Sequence, residues 1–267
     1  DVYSPNRNLY NTTKIPFNIS INEQVGKLLY IDSFDLNQKE VILCKNCDEY
    51  GFKKKKIKSF KDGQHSLTIK AIKNNETIKR NISFFIDSKR PKIAKIEPKQ
   101  NSLTNGSKFL IKYTEDSLNN IILNFDNGLG IGESCLSGKD QECKFDIDLE
   151  DFDDQELEYW FVVLDIAGNK AESKLTKVKV DTTPPIINNF NYNLTGKSML
   201  FTFNVTEKNF KEISYIDLSD PKQKETLLCS SLKNGICKVK KSFKTGEHNL
   251  KIKVLDKAGN FAEKNAN

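Results

Sequence analysis

Carboxylate side chains recur at matching positions along the chain, and their oxygen atoms are the ligands that calcium prefers. Asp165 and Asp256 open two turns with the pattern Asp-x-Ala-Gly-Asn. Asp87 and Asp181 precede two proline-containing segments. We predict that such groups converge at joints between domains, and the predicted calcium ligands are Glu115, Asp165, Asp181, Glu207 and Asp256. The alternative is turn chemistry alone, in which Asp caps its own backbone.

The six cysteines fall in three neighbouring pairs, which are Cys44 and Cys47, Cys135 and Cys143, and Cys229 and Cys237. Pairing within each repeat indicates three local disulfides and an oxidising compartment. The spacing of the first pair also fits a redox motif or half of a zinc site. A redox cysteine needs a helix N-terminus, which is not predicted there. Zinc needs four ligands, and the chain offers only two histidines besides the cysteines.

No constellation of side chains indicates an enzyme. His65 and His248 lie at matching strand starts, and neither has a nucleophile and a supporting acid nearby in sequence. The acidic residues 151–154 are interpreted as a solvated loop, because a glycosidase pair needs a cleft. The glycine-rich residues 127–132 lead into Cys135 and not into a helix, so they fail as a dinucleotide fingerprint. We predict a non-catalytic protein with no cofactor other than calcium.

Seven Asn-x-Ser/Thr sequons mark candidate glycosylation sites, as expected for surface positions of a secreted protein. They begin at Asn11, Asn18, Asn75, Asn81, Asn105, Asn193 and Asn204. Asn18 and Asn204 alternate with apolar residues that face inward, so both side chains are predicted to point outward.

The formal charge of +6 comes mostly from lysines spread along the chain, with one run at residues 53–56. Lys251 and Lys253 alternate with apolar residues, which is typical of a solvated strand face. No aromatic residues interleave with the lysine run, so nucleic acid is not predicted as a partner. Charged residues make up 29% of the chain, and no run approaches the roughly 18 apolar residues of a membrane helix. No membrane insertion of this segment is predicted.

The chain contains an internal repeat. Phe17, Phe109 and Phe201 stand 92 residues apart at each step, and so do Glu23, Glu115 and Glu207. A spacing of this size fits complete small domains. Proline-stiffened segments at residues 86–91 and 180–185 hold the chain extended between them. The predicted domains are residues 1–88, 89–182 and 183–267.

Short strands with period-two alternation and frequent turn signals predict antiparallel β-sandwiches throughout. The third domain differs, because residues 261–267 are too short and polar for the closing strand found in the other two. We interpret this gap either as truncation of a longer protein or as a place filled by a strand from another chain. The second interpretation implies a polymerising subunit.

Trp160, Val162 and Leu164 form an apolar stripe on a strand face that carries Lys251 and Lys253 in the third repeat. Such a stripe marks contact with a neighbour, or else a central strand covered by its own loops.

The Asp-Thr-Thr-Pro-Pro segment at residues 181–185, the two Asp-x-Ala-Gly-Asn turns and the matched segments 59–67 and 242–250 resemble tandem immunoglobulin-like (Ig-like) repeats of bacterial and archaeal cell-surface proteins. The pair of cysteines per repeat and the Asn- and Lys-rich composition look most like archaeal examples. The resemblance implies three Ig-like domains in an extracellular surface-layer, filament or stalk protein. Its expected partners are copies of itself, other surface proteins or glycans. The alternatives are an adhesin or carbohydrate-binding module, or accessory domains of a secreted hydrolase.

Overall fold

The structure, a computed structural model, describes residues 1–266. Asn267, the last residue of the predicted third domain, lies outside them. The described chain is all-β, and its helical content is a single 3-10 turn at Glu150–Phe152. No helix in residues 1–266 has the length and apolarity required to cross a membrane.

A first group of strands pairs only within itself. It comprises β1 (Val2–Ser4), β2 (Leu9–Tyr10), β3 (Lys14–Asp32), β4 (Val41–Tyr50), β5 (Lys56–Ser59), β6 (Gly63–Lys73) and β7 (Glu76–Ile86). The sequence predicted separate strands near Ile15 and Leu28, but β3 runs through both without a break over 19 residues. Its first residues pair with β5, and later ones pair with β4 and β6. One strand therefore contributes to both layers of the sandwich.

A second group forms two sheets, in the orders β13-β10-β8 and β12-β11-β14-β16-β9. The short strand β15 pairs with Val162–Leu164 near the C-terminal end of β14. Its strands are β8 (Lys92–Glu97), β9 (Leu103–Thr104), β10 (Phe109–Glu115), β11 (Leu118–Phe125), β12 (Gly130–Glu133), β13 (Gly138–Phe145), β14 (Glu156–Asp165), β15 (Lys170–Glu172) and β16 (Thr176–Val180). The glycine-rich residues 127–132 run into the edge strand β12 and not into a helix.

A third group also forms two sheets, in the orders β17-β18-β21 and β20-β19-β22-β23. Its strands are β17 (Ile186–Thr195), β18 (Ser198–Thr206), β19 (Phe210–Asp217), β20 (Thr226–Cys229), β21 (Ile236–Ser242), β22 (Leu250–Asp256) and β23 (Phe261–Ala266).

Residues 261–266 form the strand β23, where the sequence analysis expected none. Its residues pair with β22 from Phe261 opposite Leu255 to Ala266 opposite Leu250. An edge strand needs only backbone pairing on one side, so a polar sequence suffices. Ala266 is buried beside Leu250, as Thr176 is beside its register partner Tyr159 in the second group. β23 therefore fills the place that β15 and Thr176 take in the second repeat. The pairing of Lys177–Lys179 with Glu156–Glu158 has no counterpart in the described part of the third repeat.

Each group of strands encloses its own apolar core. Phe109, Ile111 and Tyr113 alternate along β10 and are fully buried, as are the matching Phe17 and Phe201. Burial of each such side chain contributes about 1.5–3 kcal/mol to folding. The chain is thus a tandem array of Ig-like antiparallel β-sandwiches. The boundaries at 1–88, 89–182 and 183–267 stay a prediction; below, the strand groups β1–β7, β8–β16 and β17–β23 are called the first, second and third repeats.

Candidate metal centres at the joints between repeats

Two groups of three carboxylates lie at the passages between repeats. The first cluster is Asp87, Glu115 and Asp165, and the second cluster is Asp181, Glu207 and Asp256. In each cluster, one carboxylate oxygen per residue lies within 4.8 Å of the others. The structure therefore brings together all five predicted calcium ligands, and it adds Asp87, which the sequence placed at a matching position. We call residues 87–91 the first joint and residues 181–185 the second joint.

Three elements position the first cluster. Asp87 follows the end of β7, Glu115 ends β10, and Asp165 ends β14. Asp165 accepts hydrogen bonds from the backbone N–H of Asn169 at 2.8 Å and from its side-chain Nδ2 at 2.7 Å. The turn between them contains Gly168 with a φ of 85°, a conformation that favours glycine. This turn fixes the carboxylate of Asp165 at the base of the cluster.

Asn169 also crosses the joint. Its Nδ2 donates a hydrogen bond of 2.8 Å to the backbone carbonyl oxygen of Asp87. In the second cluster, Asn260 holds Asp256 in the same way, with both hydrogen bonds at 2.8 Å. Its Nδ2 donates to the backbone carbonyl of Asp181 at 2.7 Å. The final Asn of each Asp-x-Ala-Gly-Asn turn is thus a joint residue, a role that the sequence analysis missed although both turns carry it at the same position.

The carboxylates are buried, except Glu207, which is half-buried. Only 5% of Glu115 and 1% of Asp165 are exposed, and Asp256 is also 1% exposed. Within residues 1–266, none of the six carboxylates forms an ion pair with Lys, Arg or His. Buried like charges without a counter-charge are unfavourable, and they are relieved by a proton or by a bound cation.

The pKa values of three of these carboxylates are raised, as expected for acidic groups that are buried close to one another. Burial, followed by the charges of Asp87 and Asp165, raises the pKa of Glu115 above its ordinary value. Burial is also the main cause that raises the pKa values of Asp181 and Glu207, and the charge of Asp256 adds to both. Glu115, Asp181 and Glu207 therefore hold protons more strongly than solvent-exposed carboxylates do.

The first repeat provides an internal contrast at the matching place. There Glu23 takes the position of Glu115, and Lys73 takes the position of Asp165. The Lys73 ammonium lies 2.6 Å from a carboxylate oxygen of Glu23. Where the turn Asp is absent, a lysine forms an ion pair with the glutamate, whereas no ion pair is formed by either cluster within residues 1–266.

The donor set of each cluster fits a hard divalent cation. All three side chains offer oxygen, and calcium takes six to eight oxygen ligands from carboxylates, carbonyls and water. Neither cluster includes a histidine or a cysteine, which zinc usually requires. A calcium ion in the first cluster would connect Asp87 on one side of the joint with Glu115 and Asp165 on the other.

The two histidines are structural. His65 places Nδ1 at 2.6 Å from Asp32 Oδ2 and Nε2 at 2.8 Å from the carbonyl oxygen of Lys61. His248 repeats this arrangement with Asp217 and the carbonyl oxygen of Lys244. Because both ring nitrogens face oxygen acceptors, neither is free to take a proton from a nucleophile. That these histidines are not catalytic bases stays a prediction.

All six cysteines form disulfides in the predicted local pairs, Cys44–Cys47, Cys135–Cys143 and Cys229–Cys237. The first pair lies within strand β4 and not in a loop as the sequence suggested. A redox role needs a helix N-terminus, and residues 1–266 contain no α-helix. A zinc site needs four ligands, and neither group of potential metal ligands in these residues includes Cys44 or Cys47.

Five of the candidate glycosylation sites are exposed, namely Asn11, Asn75, Asn81, Asn193 and Asn204. Asn18 is half-buried, and its side-chain amide lies 2.8 Å from the carbonyl oxygen of Phe17. Asn105 donates a hydrogen bond of 3.2 Å to Asn260 at the second joint. Asn81 and Asn204 also accept side-chain hydrogen bonds, from Thr68 at 3.0 Å and from Asn188 at 3.4 Å. Glycan attachment remains a prediction.

Trp160, Val162 and Leu164 are half-buried on the outer face of β14. This strand is central, because it lies between β11 and β16, and Val162 lies opposite Ile122. The apolar stripe therefore continues onto a second strand, and its use as an interface stays a prediction.

No protein-family model matches the chain, and no curated protein matches it either. Among solved structures, the chain resembles the FN1–FN3 domains of chicken CNTN1 with 8% identity and a TM-score of 0.46, covering 100% of this chain and 97% of that one. It also resembles the I-band fragment I67–I69 of titin with 12% identity and a TM-score of 0.38, covering 96% and 92%. Fibronectin(III)-like modules of Clostridium thermocellum CbhA match with 13% identity and a TM-score of 0.37, covering 68% and 93%. Because these scores are low, the fold assignment rests on the strand order of this chain.

Proposed function

We propose that the chain is a non-catalytic structural component of a cell-surface protein, in which calcium stiffens the joints between Ig-like repeats. The observation that supports this most directly is the pair of matched carboxylate clusters, each built from both sides of a joint. A surface layer, a filament and a stalk all require neighbouring domains to keep a fixed angle.

The mechanism follows from charge and connectivity. Without a cation, Asp87 repels Glu115 and Asp165, which belong to the next repeat, and this repulsion opposes docking across the first joint. A bound calcium ion reverses the sign of the interaction and adds direct ligand bonds between the repeats. Pro91 and the Pro184-Pro185 pair restrict the backbone of the joints further. The joints would thus be stiff when loaded and looser when empty.

The compartment supports the same proposal. Three disulfides are typical of proteins outside the reducing cytosol. Extracellular calcium-binding modules operate with dissociation constants of about 10⁻⁴–10⁻³ M, so joints of this kind would be loaded outside the cell. The expected partners are neighbouring copies of the chain or other cell-surface proteins.

Small-angle X-ray scattering of the full oxidised chain tests the proposal. Millimolar calcium should give a longer and more uniform particle than EDTA does. The Glu115→Gln, Glu207→Gln double variant should scatter alike in both conditions. Static light scattering and electron microscopy of the same samples report whether the stiffened chain assembles into sheets or filaments. Identical scattering curves for the native chain with and without calcium would refute calcium-stiffened joints.

A further inference from the structure

The two clusters share one backbone framework. In the first, the backbone N–H of Ser117 donates to Glu115 at 2.8 Å, and the carbonyl oxygen of Ser117 accepts from Ile166 N at 2.9 Å. In the second, the N–H of Asn209 donates to Glu207 at 2.6 Å, and its carbonyl oxygen accepts from Lys257 N at 2.8 Å. Positions 117 and 209 are therefore equivalent in the backbone and differ in the side chain.

Among the described residues, the side chain at this position donates a hydrogen bond to a cluster carboxylate in the third repeat and not in the second. Asn209 Nδ2 donates a hydrogen bond of 2.6 Å to Asp181 Oδ2. In the described chain, the Ser117 hydroxyl makes no hydrogen bond to Asp87. One oxygen of the carboxylate that reaches across the second joint is thus already engaged by a neutral donor. This hydrogen bond occupies one lone pair of that oxygen and draws electron density from it, so it competes with a cation for the same oxygen. In the first cluster, Asp87 accepts a longer hydrogen bond of 3.2 Å from the backbone N–H of Lys89.

We propose that Asn209 lowers the calcium affinity of the second cluster below that of the first, so that the two joints stiffen one after the other as calcium rises. The inference rests on the proposed function, in which both clusters bind calcium. It assigns to Asn209 the role of setting affinity without being a ligand. The first joint would stiffen at low calcium and the second at higher calcium.

The surrounding charges also differ between the clusters. Asp116 follows Glu115, whereas Lys208 follows Glu207 and pairs with Asp154 at 3.2 Å. These neighbours favour a cation at the first cluster. Lys89 and Arg90 line the cleft beside the first cluster and oppose it. An exchange of the side chains at 117 and 209 leaves all of these charges in place, so it isolates the effect of the amide.

Isothermal titration calorimetry with calcium chloride on the full oxidised chain tests this inference. Glu207→Gln disables the second cluster, so that calcium binding reports on the first cluster. Glu115→Gln disables the first cluster, so that calcium binding reports on the second. The first should bind calcium about tenfold more tightly, because one hydrogen bond to a charged group corresponds to roughly that factor. Asn209→Ser in the Glu115→Gln background should tighten the second site by about the same factor. Ser117→Asn in the Glu207→Gln background should weaken the first.

The possible outcomes distinguish a failure of this inference from a failure of the proposed calcium-binding function. If both sites bind calcium with equal affinity and neither exchange changes it, the role of Asn209 is refuted while the calcium joints stand. If Asn209→Ser weakens binding, the amide acts as a ligand through its oxygen, which also refutes the inference. If the native chain binds no calcium, both proposals fail. Thermal unfolding in EDTA verifies that each variant is folded.

Discussion

The side-chain amide of Asn169 lies 2.8 Å from the backbone carbonyl oxygen of Asp87 and so connects the turn of one repeat to the end of the preceding one. The same amide holds a carboxylate oxygen of Asp165 at 2.7 Å. A single residue therefore shapes the first cluster and joins two sandwiches. Asn260 does the same at the second joint.

Asn169→Ala should destabilise the second repeat by about 1–3 kcal/mol, because it leaves buried oxygen acceptors without their donor. Urea unfolding followed by tryptophan fluorescence reports on this repeat, since Trp160 in β14 is the only tryptophan of the chain. Asn193→Ala is the matched control, because Asn193 is exposed. A loss no larger than that of the control would contradict the role given to Asn169.

Glu115→Gln should have opposite effects with and without calcium. In EDTA at neutral pH the variant should be more stable than the native chain, since it removes a buried like charge. In millimolar calcium it should be less stable, because ligand binding at about ten times the dissociation constant stabilises a protein by about 1.4 kcal/mol. Urea unfolding in both buffers measures the two differences. Lys73→Met is the control, and its exposed ion pair should matter by less than about 1 kcal/mol in either buffer.

The pH dependence of this effect has a defined sign. The folded-state pKa of Glu115 is raised above its ordinary value by burial first and by neighbouring carboxylates second. The folded chain therefore binds the proton more strongly, and this group lowers stability as pH rises from its unfolded pKa through its folded pKa. In EDTA, the stability advantage of Glu115→Gln should develop as pH rises from the unfolded pKa of Glu115 through its folded pKa. It should be absent below the unfolded pKa. An advantage that does not change with pH would contradict a titrating Glu115.

His248 should stabilise the third repeat as a cation. The carbonyl oxygen of Lys244 and then the carboxylate of Asp217 raise its pKa above the ordinary value, and Asp220 adds to this. Its contribution should be complete below the unfolded pKa of about 6.5 and be lost as pH rises through the folded pKa. Proton NMR titration of the ring should show the raised pKa, with His248→Leu identifying the signal. Leu157 holds the matching place in the second repeat, so leucine is compatible with the fold.

The stability loss of His248→Leu relative to the native chain should shrink between pH 5.5 and pH 9, as measured by urea unfolding with circular dichroism. A loss that stays constant across this range would show that the ring contributes by packing alone.

Replacing Cys229 and Cys237 together by serine should destabilise the third repeat by about 2–3 kcal/mol, as expected for a disulfide that closes a short loop. The pair Cys135 and Cys143 has the same separation of 8 residues and should lose a similar amount. Thermal unfolding of the oxidised native chain and of both double variants measures the losses. Unchanged midpoints would contradict a stabilising role.

Local patterns predicted most of the fold. Alternating apolar residues such as Phe109, Ile111 and Tyr113 mark their strand directly, because one face is buried and the other is not. The continuous course of β3 was missed, since Asn22 and Glu23 are polar and the register with β4 shifts between Ser20 and Val25. The strand β23 was missed because it is polar, and edge strands depend on backbone pairing more than on side chains.

The candidate site was predicted in part. The carboxylates were found because their spacing repeats along the sequence. The roles of Asn169, Asn209 and Lys73 depend on which atoms meet across a joint or between strands, and spacing alone does not determine this. The partner of His248 was also hidden, because Asp217 lies 31 residues away.

Calcium binding by the native chain and its glutamine variants tests the central claim most directly. Titration calorimetry should find two calcium ions per native chain, one for Glu115→Gln, one for Glu207→Gln and none for the double variant. Absence of calcium binding by the native chain, or binding that the double variant retains in full, would contradict calcium sites at the two joints.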